Sequence, residues 1–318
     1  MQHHLPPDAE NLHGFFSPEL TPILRVNSGD EVLSSTLDSR WHSAEQTQLD
    51  SYEGLALVET RRPQDKGHAL NGPVWVEGAQ PGQVLEISVE EVVLGAWGWS
   101  GCGGWTSPLN QALGVTDGAT EYLLWRFDET RQTATNQHGD RVKLHPFPGI
   151  LGVAPAKPGQ HSTIPPRPTG GNLDCKALVA GTRLFLPIAV EGALFSFGDG
   201  HAAQGDGEVG GVAIECPLER LRLGIHLHPN LSLTRPRAIT PTGRITFGFD
   251  ASLDVAWQQA LNDMVDWMIS DLQISRRRAI SLCSMGVDLH ITQVANQVCG
   301  VHCRWNGAVS VGSGWDWS

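Results

Sequence analysis

The amino-acid sequence predicts a mainly antiparallel β protein with a helical segment near its C-terminus. Short runs rich in Val, Ile, Leu and Phe recur along most of the chain, separated by Gly, Pro, Asp and Asn, as expected for strands bounded by turns. Residues 84–90 alternate apolar and polar side chains, which is typical of a strand with one buried face. An apolar period of three to four residues is concentrated after residue 250, where helices are therefore expected.

The predicted strands follow one another along most of the chain. They cover residues 22–26, 74–77, 84–93, 122–127, 183–187, 189–197, 209–215 and 244–249. The prolines within residues 155–171 fix backbone dihedrals and remove hydrogen-bond donors, so this stretch is predicted to be an extended loop.

Two helices and one more strand are predicted in the C-terminal part. Ser252 can cap the first helix, and a second, short helix begins near Ser275. Residues 287–294 form the final predicted strand. The side chains expected to face the core are Leu253, Trp257, Leu261, Met264, Met268 and Leu272 in the first helix, and Ala279, Ile280 and Leu282 in the second.

The composition of the 318 residues excludes several classes of protein. Low charge (18%) together with 11 Trp and 9 Phe indicates a folded core rather than disorder. No apolar run approaches the roughly 18–20 residues of a spanning helix, and no signal peptide is recognisable, so a membrane protein is not expected. A net charge of −12 disfavours nucleic acids and anionic membranes as partners. Six Cys without a secretion signal favour free thiols in the cytoplasm.

Candidate functional residues are concentrated in two polar segments. Asn172 and Asp174 follow a glycine pair, and side chains two residues apart in an extended chain point to the same face. An ordinary Asn/Asp turn after a loop is the alternative for this segment. Residues 198–208 follow an apolar strand and space their polar side chains by Gly and Ala, which lets a ligand approach the backbone closely. The polar members of this second segment are Asp199, His201, Gln204, Asp206 and Glu208.

A divalent metal ion suits the second segment, because carboxylates and imidazole are ligands of Zn²⁺ and similar ions. An acidic surface loop is the alternative, but such a loop requires neither histidine nor alternating glycine. A metal ion polarises a carbonyl oxygen and activates water, while a nearby carboxylate can carry the proton to a leaving amine. The sequence contains no G-x-S-x-G, P-loop or H-E-x-x-H motif, so other routes to hydrolysis find little support.

In these residues the chain resembles the acetamidase/formamidase family. The most specific match is the run Gly198-Asp-Gly-His-Ala-Ala-Gln-Gly-Asp-Gly-Glu208, which is far longer than a lone glycine motif. The resemblance extends over most of the chain, from about residue 13 to residue 303. The matching stretches are residues 71–82, 165–174, 181–186, 192–208, 213–215, 282–288 and 291–294.

The resemblance implies a β-sandwich with smaller β and α/β parts, in a cytosolic homo-oligomer. It also implies hydrolysis of a short aliphatic amide, such as formamide or acetamide, to carboxylate and ammonia. A divalent metal ion is implied in the site, and we expect zinc, with calcium as the alternative. The family unit is expected to span residues 1–318 as one domain, or to divide into an N-terminal β part (1–150) and a C-terminal β part (151–318) with the site and helices.

Residue roles are carried over by position and then assigned by chemistry. Glu208 is the expected proton-transfer group, because Gly205 and Gly207 would let the chain turn back over the metal. The candidates are the metal ligands Asp174, Asp199 and His201, the catalytic carboxylates Glu208 and Asp206, and the substrate-binding residues Asn172, Gln204 and His68. His68 is also a second-tier candidate for a metal ligand.

A second hypothesis, from a different class, is a non-catalytic β-sandwich protein. In such a protein the acidic segment would hold a structural ion, and the Trp- and Gly-rich residues 97–110 would stack on a sugar or another flat ligand. Carboxylates alone would suit structural Ca²⁺, whereas His201 favours a softer metal and catalysis. The histidine and the resemblance together favour the metal-dependent amidase.

Overall fold

A computed structural model describes residues 1–42 and 63–307 of the chain. Within them the helices are Pro108–Leu113 (α1), Leu253–Leu272 (α2) and Arg276–Gly286 (α3), with a 3₁₀ turn at Ala9–Asn11. The strands are Gln2–Leu5 (β1), Leu12–His13 (β2), Leu24–Val26 (β3), Glu31–Thr36 (β4), Leu70–Val76 (β5), Val84–Leu94 (β6), Trp97–Cys102 (β7), Glu121–Phe127 (β8), Thr133–Asn136 (β9), Arg141–Lys143 (β10), Phe147–Val153 (β11), Gly170–Asn172 (β12), Thr182–Pro187 (β13), Phe195–His201 (β14), Glu215–Cys216 (β15), Leu218–His228 (β16), Arg237–Thr240 (β17), Gly243–Asp250 (β18), Val287–Asn296 (β19) and Val298–Trp305 (β20).

The strands form two large sheets, and the mainly β prediction is confirmed. One sheet has nine strands in the order β1-β4-β16-β6-β13-β17-β18-β20-β19 and is antiparallel except for its β1–β4 pair. The path of the eleven-stranded sheet is β10-β9-β8-β7-β15-β14-β11-β12, with β5 pairing β14, β2 and β3 beside it. Both sheets contain strands from before and after residue 150, and β16 lies between β4 and β6 in the nine-stranded sheet.

The main core is shared by the two sheets. Val32, Leu85 and Leu223 of the nine-stranded sheet belong to the same buried apolar cluster as Val74 and Phe195 of the eleven-stranded sheet. Because apolar area of both sheets is removed from water in one cluster, each sheet stabilises the other. A second buried cluster joins α2 and α3 to β20.

Two of the predicted strands are wrong. In residues 189–197, pairing begins only at Phe195, because Ala193 and Leu194 adopt left-handed backbone (φ 59° and 52°) and turn the chain. In residues 209–215, only Glu215 belongs to a strand, and Val209 is exposed. The sequence patterns also did not predict β4, β11, β16 and β20.

The alternation in β6 does not correspond to one buried face, because every residue from Val84 to Val89 is buried. Glu86 sits among them and is paired with Arg183 and His228, whose side chains are partly exposed. Its carboxylate accepts two hydrogen bonds from Arg183 (2.7 and 3.0 Å) and lies 2.6 Å from Nε2 of His228. The central strand therefore carries a charged residue because the neighbouring strands supply its partners.

Both C-terminal helices begin where predicted. Ser252 and Ser275 are the residues before the first turn. The Ser275 hydroxyl accepts a hydrogen bond from the N–H of Arg278, whereas the predicted side-chain cap by Ser252 does not form. The core-facing side chains differ in part from the prediction, since Leu253 and Ile280 are exposed and Trp257 is only half-buried. None of the helices described is long and apolar enough to cross a membrane.

Met264 is fully buried in the cluster that joins α2 to β20, so its truncation tests the structural role of the helix. Met264→Ala is expected to lower the free energy of unfolding by about 2 to 5 kcal/mol, through lost transfer energy and a residual cavity. Urea unfolding would measure this, with the exposed Gln258→Ala of the same helix as the control. Equal midpoints for the two variants would contradict the core assignment.

Candidate active site

Five ionisable side chains meet at one end of β14. Asp199 and His201 lie two residues apart on this strand, and Glu215 of β15 pairs directly opposite His201. Asp174 follows β12, and Glu208 lies in the loop between β14 and β15. We call these five residues the carboxylate–histidine cluster. Each is between 1% and 6% exposed, so four carboxylates and an imidazole are held away from bulk water.

His201 is at the centre of the cluster. Its Nε2 lies 3.3 Å from Oε1 of Glu215 and 3.4 Å from Oδ2 of Asp199, and its Nδ1 lies 3.9 Å from Oδ1 of Asp174. Asn296, at the end of β19, connects the carboxylates of Asp174 and Glu208. Its amide nitrogen donates to Asp174 (2.6 Å) and to Glu208 (3.2 Å).

The loop that carries Glu208 is attached to β19 through its backbone. The N–H of Gly207 donates to the carbonyl of Thr292 (3.1 Å), and the N–H of Val294 donates to the carbonyl of Gly207 (3.0 Å). Three cluster residues, Asp174, Asp199 and Glu208, have positive φ of 44°, 60° and 46°. Such backbone costs energy and persists only where the surrounding structure enforces it, most often at functional sites.

The close carboxylates perturb one another's pKa values. Burial and the charge of Glu208 raise the pKa of Asp174 well above its usual range. Burial raises the pKa of Glu208 to about 8; His201 opposes this rise, whereas Glu215 and Asp199 add to it. Burial would lower the pKa of His201, but the charges of Glu215 and Asp199 raise it well above its usual value. Without a cation, the cluster must retain protons to remain buried.

The donor set fits a divalent cation. Buried atoms without a hydrogen-bond partner include Oδ1 of Asp174, Oδ1 of Asp199, Nδ1 of His201 and Oε2 of Glu215. Ligand atoms of Asp174, His201 and Glu208 lie within 4.8 Å of one another, as do those of Asp199, His201 and Glu215. Unpartnered buried polar atoms are costly, and a cation among them would remove that cost.

Gly149 of β11 forms the floor of the cluster. A Cβ at this position would lie 2.6 Å from Oδ2 of Asp199, 2.7 Å from Cε1 of His201 and 2.9 Å from Oδ1 of Asp174. The Gly149 carbonyl also accepts hydrogen bonds from the N–H groups of Leu173 and Asp174. The absence of a side chain here therefore leaves room between the candidate ligands.

Gly149→Ala is expected to weaken divalent-metal affinity about 10- to 100-fold, the cost typical of disturbing groups that orient ligands. Competition with a chromogenic chelator would measure the affinity. Gly159→Ala is the comparison for backbone strain away from the site, because a Cβ there meets nothing within 4 Å but the residue has a left-handed φ of 95°. Wild-type affinity in Gly149→Ala would show that the ion lies elsewhere.

The cluster lines a pocket of about 480 Å³. Asn172 and His68 also line it, together with Trp99, Ile164 and Lys66. The Asn172 amide nitrogen donates to the carbonyl of Ile164 (3.0 Å), while its Oδ1 is buried without a partner. An acceptor is therefore available in the pocket wall.

Two of the predicted site residues lie outside this pocket. Gln204 donates from its side chain to the backbone carbonyl of Asp174 (2.7 Å). Asp206 is paired with Lys176 (3.2 Å) and His290 (3.0 Å). Both line a neighbouring cavity of about 760 Å³, and Glu208 forms part of the wall of both cavities.

Asp206, His290 and His302 form a second group of potential metal ligands. However, the His290 and His302 rings are stacked at 4.7 Å with only 4° between their planes. A metal ion lies near the plane of each imidazole that binds it, so two stacked rings cannot both face one ion. Each ring instead has a hydrogen-bond partner of its own: His290 contacts Asp206 (3.0 Å), and His302 contacts the Thr292 hydroxyl (2.8 Å).

Sequence reasoning did not identify Glu215 or Asn296 as site residues. Glu215 lies within one of the matching stretches and is flanked by Ile214 and Cys216, and an acidic residue in apolar surroundings was the available signal. Asn296 has no such signal, because its role depends on β19 approaching the loop of Glu208.

The Trp-rich residues 97–110 do not form an exposed stacking surface. Trp97 and Trp99 are buried in β7, and the Trp99 indole N–H donates to Asp38 (2.7 Å). Trp105 is exposed but does not line the pocket of the cluster. Trp99 and Trp41 do reach the wall of that pocket, but both are almost fully buried, so neither offers an exposed ring face for stacking.

Comparisons with known proteins agree with the family resemblance that residues 198–208 indicate. A model of the Acetamidase/Formamidase family matches residues 1–162 and 158–231. An acetamidase from Mycolicibacterium smegmatis is 28% identical over 62% of this chain and 61% of its own length. A formamidase from Methylophilus methylotrophus is 25% identical over 62% of this chain and 59% of its own. The chain therefore spans less than two thirds of these relatives. The crystal structure of an acetamidase from Bacillus halodurans, 28% identical, superimposes with a TM-score of 0.81 over 95% of this chain and 96% of that one.

Proposed function

This chain belongs to the acetamidase/formamidase family, and from that premise we propose that it hydrolyses a short aliphatic amide to a carboxylate and ammonia. The observation that carries the proposal is the buried carboxylate–histidine cluster at the base of a pocket. Formamide and acetamide are the substrates suggested by the names of the relatives.

Asp174, Asp199 and His201, together with Glu215, would hold a divalent ion. An imidazole beside carboxylates favours zinc, and calcium is the alternative because most donors are carboxylate oxygens. When bound, such an ion polarises the amide carbonyl and lowers the pKa of water.

Glu208 is the group best placed to move protons. It is buried, lines the pocket, and one carboxylate oxygen receives a hydrogen bond from Asn296 (3.2 Å). An amine is a poor leaving group until it is protonated, so a group must take the proton of the attacking water and deliver it to nitrogen. Burial disfavours the charged form of Glu208 and so raises its pKa, which favours a carboxyl group that can both take up and release a proton.

Asn172 supplies an orienting contact for the substrate. Its amide nitrogen is engaged by Ile164, which leaves Oδ1 as an unpartnered acceptor in the pocket wall. The NH₂ group of a primary amide is a donor that this oxygen can hold. The pocket therefore favours an amide, which places an NH₂ donor at this position, over an ester, which places an oxygen acceptor there.

Metal analysis and ammonia release together test the proposal. The purified protein should contain a divalent metal and release ammonia from at least one of formamide, acetamide and propionamide. Chelation should abolish the release, and added Zn²⁺ should restore it. Full activity after complete metal removal would overturn metal dependence, and no ammonia from any amide would overturn the amidase function.

A homo-oligomer in the cytoplasm completes the proposal. The family resemblance supports the oligomer, and the six cysteines, none of which forms a disulfide in the described residues, suit a reducing compartment. Light scattering after size-exclusion chromatography tests the assembly, and cell fractionation tests the location.

A further inference from the structure

His68 enters the pocket from an irregular segment whose backbone is held by hydrogen bonds. The N–H of Gly67 donates to the carbonyl of Gly14 (3.0 Å), and the Gly67 carbonyl accepts from the Trp41 indole (2.9 Å). The N–H of His68 donates to Oγ1 of Thr163 (2.9 Å). The imidazole is therefore presented to the pocket by a fixed main chain.

The same Thr163 hydroxyl contacts the ring, with Oγ1 at 2.7 Å from Nδ1 of His68. Thr163 is fully buried, so its hydroxyl proton requires an acceptor. Within residues 1–42 and 63–307, the ring nitrogen is the one acceptor in reach of that proton, because the other contact of Oγ1 is the N–H that it accepts. The hydroxyl thus donates to Nδ1, and the proton of the neutral ring resides on Nε2.

Gly67 permits this close approach. A Cβ at residue 67 would lie 2.2 Å from Oγ1 of Thr163 and 2.6 Å from the carbonyl of Gly14. Thr163 itself lies in the proline-rich residues 155–171, which places it against the segment. Two chain segments far apart in sequence therefore determine which nitrogen of His68 is protonated.

We propose that His68 donates a hydrogen bond from Nε2 to the carbonyl oxygen of the amide, and that Thr163 is the positioning residue that keeps the proton there. The proposal rests on the proposed amidase function. It assigns His68 a role other than metal ligation, because a protonated Nε2 has no lone pair for a metal. His68 also belongs to none of the ligand groups among the described residues.

The hydrogen bond matters most as the reaction proceeds. When water adds to the amide carbon, the π electrons of the carbonyl move to oxygen, which becomes negatively charged. A donor aimed at that oxygen stabilises the charge more than it stabilises the substrate, so it raises kcat. His68 keeps its proton throughout, so it neither supplies a proton to the reaction nor removes one from it.

Three variants test the proposal with acetamide as substrate. His68→Ala should lower kcat about 10²- to 10³-fold with metal content unchanged, the usual cost of removing such a donor. Thr163→Val should lower kcat up to about tenfold through the lost hydrogen bond, and Thr163→Ser should restore it. Loss of metal in both His68→Ala and Thr163→Val would make His68 a ligand and overturn the proposal.

Nitrogen NMR of the histidine side chains separates positioning from simple structural support. The His68 signal, identified by its absence in His68→Ala, should show the Nε2–H tautomer in wild type and Thr163→Ser, and a mixture in Thr163→Val. An Nδ1–H tautomer in wild type would overturn the proposal. If the wild-type enzyme released no ammonia from any amide, the proposed function would fall, whereas the spectra would still decide the tautomer.

Discussion

Glu208→Gln is expected to lower kcat for acetamide about 10²- to 10⁴-fold, the usual contribution of a positioned acid/base, while metal content stays close to wild type. Glutamine keeps the size and hydrogen-bonding capacity of the side chain but removes its titratable proton. Asn296 and the buried pocket wall remain to hold the glutamine side chain in place. Steady-state kinetics and metal analysis of the same preparation would measure both quantities.

Glu219→Gln is the matched control, because Glu219 is exposed on β16 and is not part of the pocket. It should leave kcat and metal content unchanged. Loss of metal in Glu208→Gln would make Glu208 a ligand instead of a proton carrier. Full activity with full metal would remove it from proton transfer.

His201→Ala is expected to abolish metal retention and, with it, amide hydrolysis. The ring lies within 3.3 to 3.9 Å of Glu215, Asp199 and Asp174, so its removal takes the one nitrogen donor from the centre of the cluster. Imidazole contributes to zinc selectivity over calcium, and carboxylates alone would hold zinc less tightly. Metal analysis after dialysis, together with ammonia release, would measure the effect.

The fold is expected to survive this change, because the sheets are held by an apolar cluster that does not include His201. Circular dichroism should therefore match wild type. His226→Ala, at an exposed position of β16, controls for removing a histidine as such. Unchanged metal stoichiometry in His201→Ala would exclude His201 from the ligand set.

The sequence patterns predicted the fold class well, but they failed where backbone and partners depend on distant residues. The apolar run 189–197 looks like one strand, yet Ala193 and Leu194 turn the chain before β14 begins. Glu86 looks like the exposed position of a half-buried strand, yet it is buried because Arg183 and His228 supply hydrogen-bond partners from neighbouring strands. The local sequence pattern indicates side-chain polarity, whereas the burial of a side chain depends on the residues that pack against it from other strands.

Local sequence patterns also predicted only part of the candidate site. Asp199 and His201 could be placed together from sequence, because residues two apart on a strand share a face. Asp206 and Glu208 have the same spacing, but the loop turns after β14, so that Glu208 faces the pocket and Asp206 pairs with Lys176. Spacing predicts a common face only while the chain remains extended.

By itself, the sequence determined the β-rich class, the helical C-terminal part and the polar run from Asp199 to Glu208, because periodicity and residue type are local properties. The tertiary structure alone decided that Glu215, Asn296 and Gly149 lie at the carboxylate–histidine cluster and that Thr163 contacts His68. These residues come from separate strands and loops, and their contacts form only when the two sheets pack. A buried charge is tolerated only beside its partners, so the identity of those partners is a property of the folded chain.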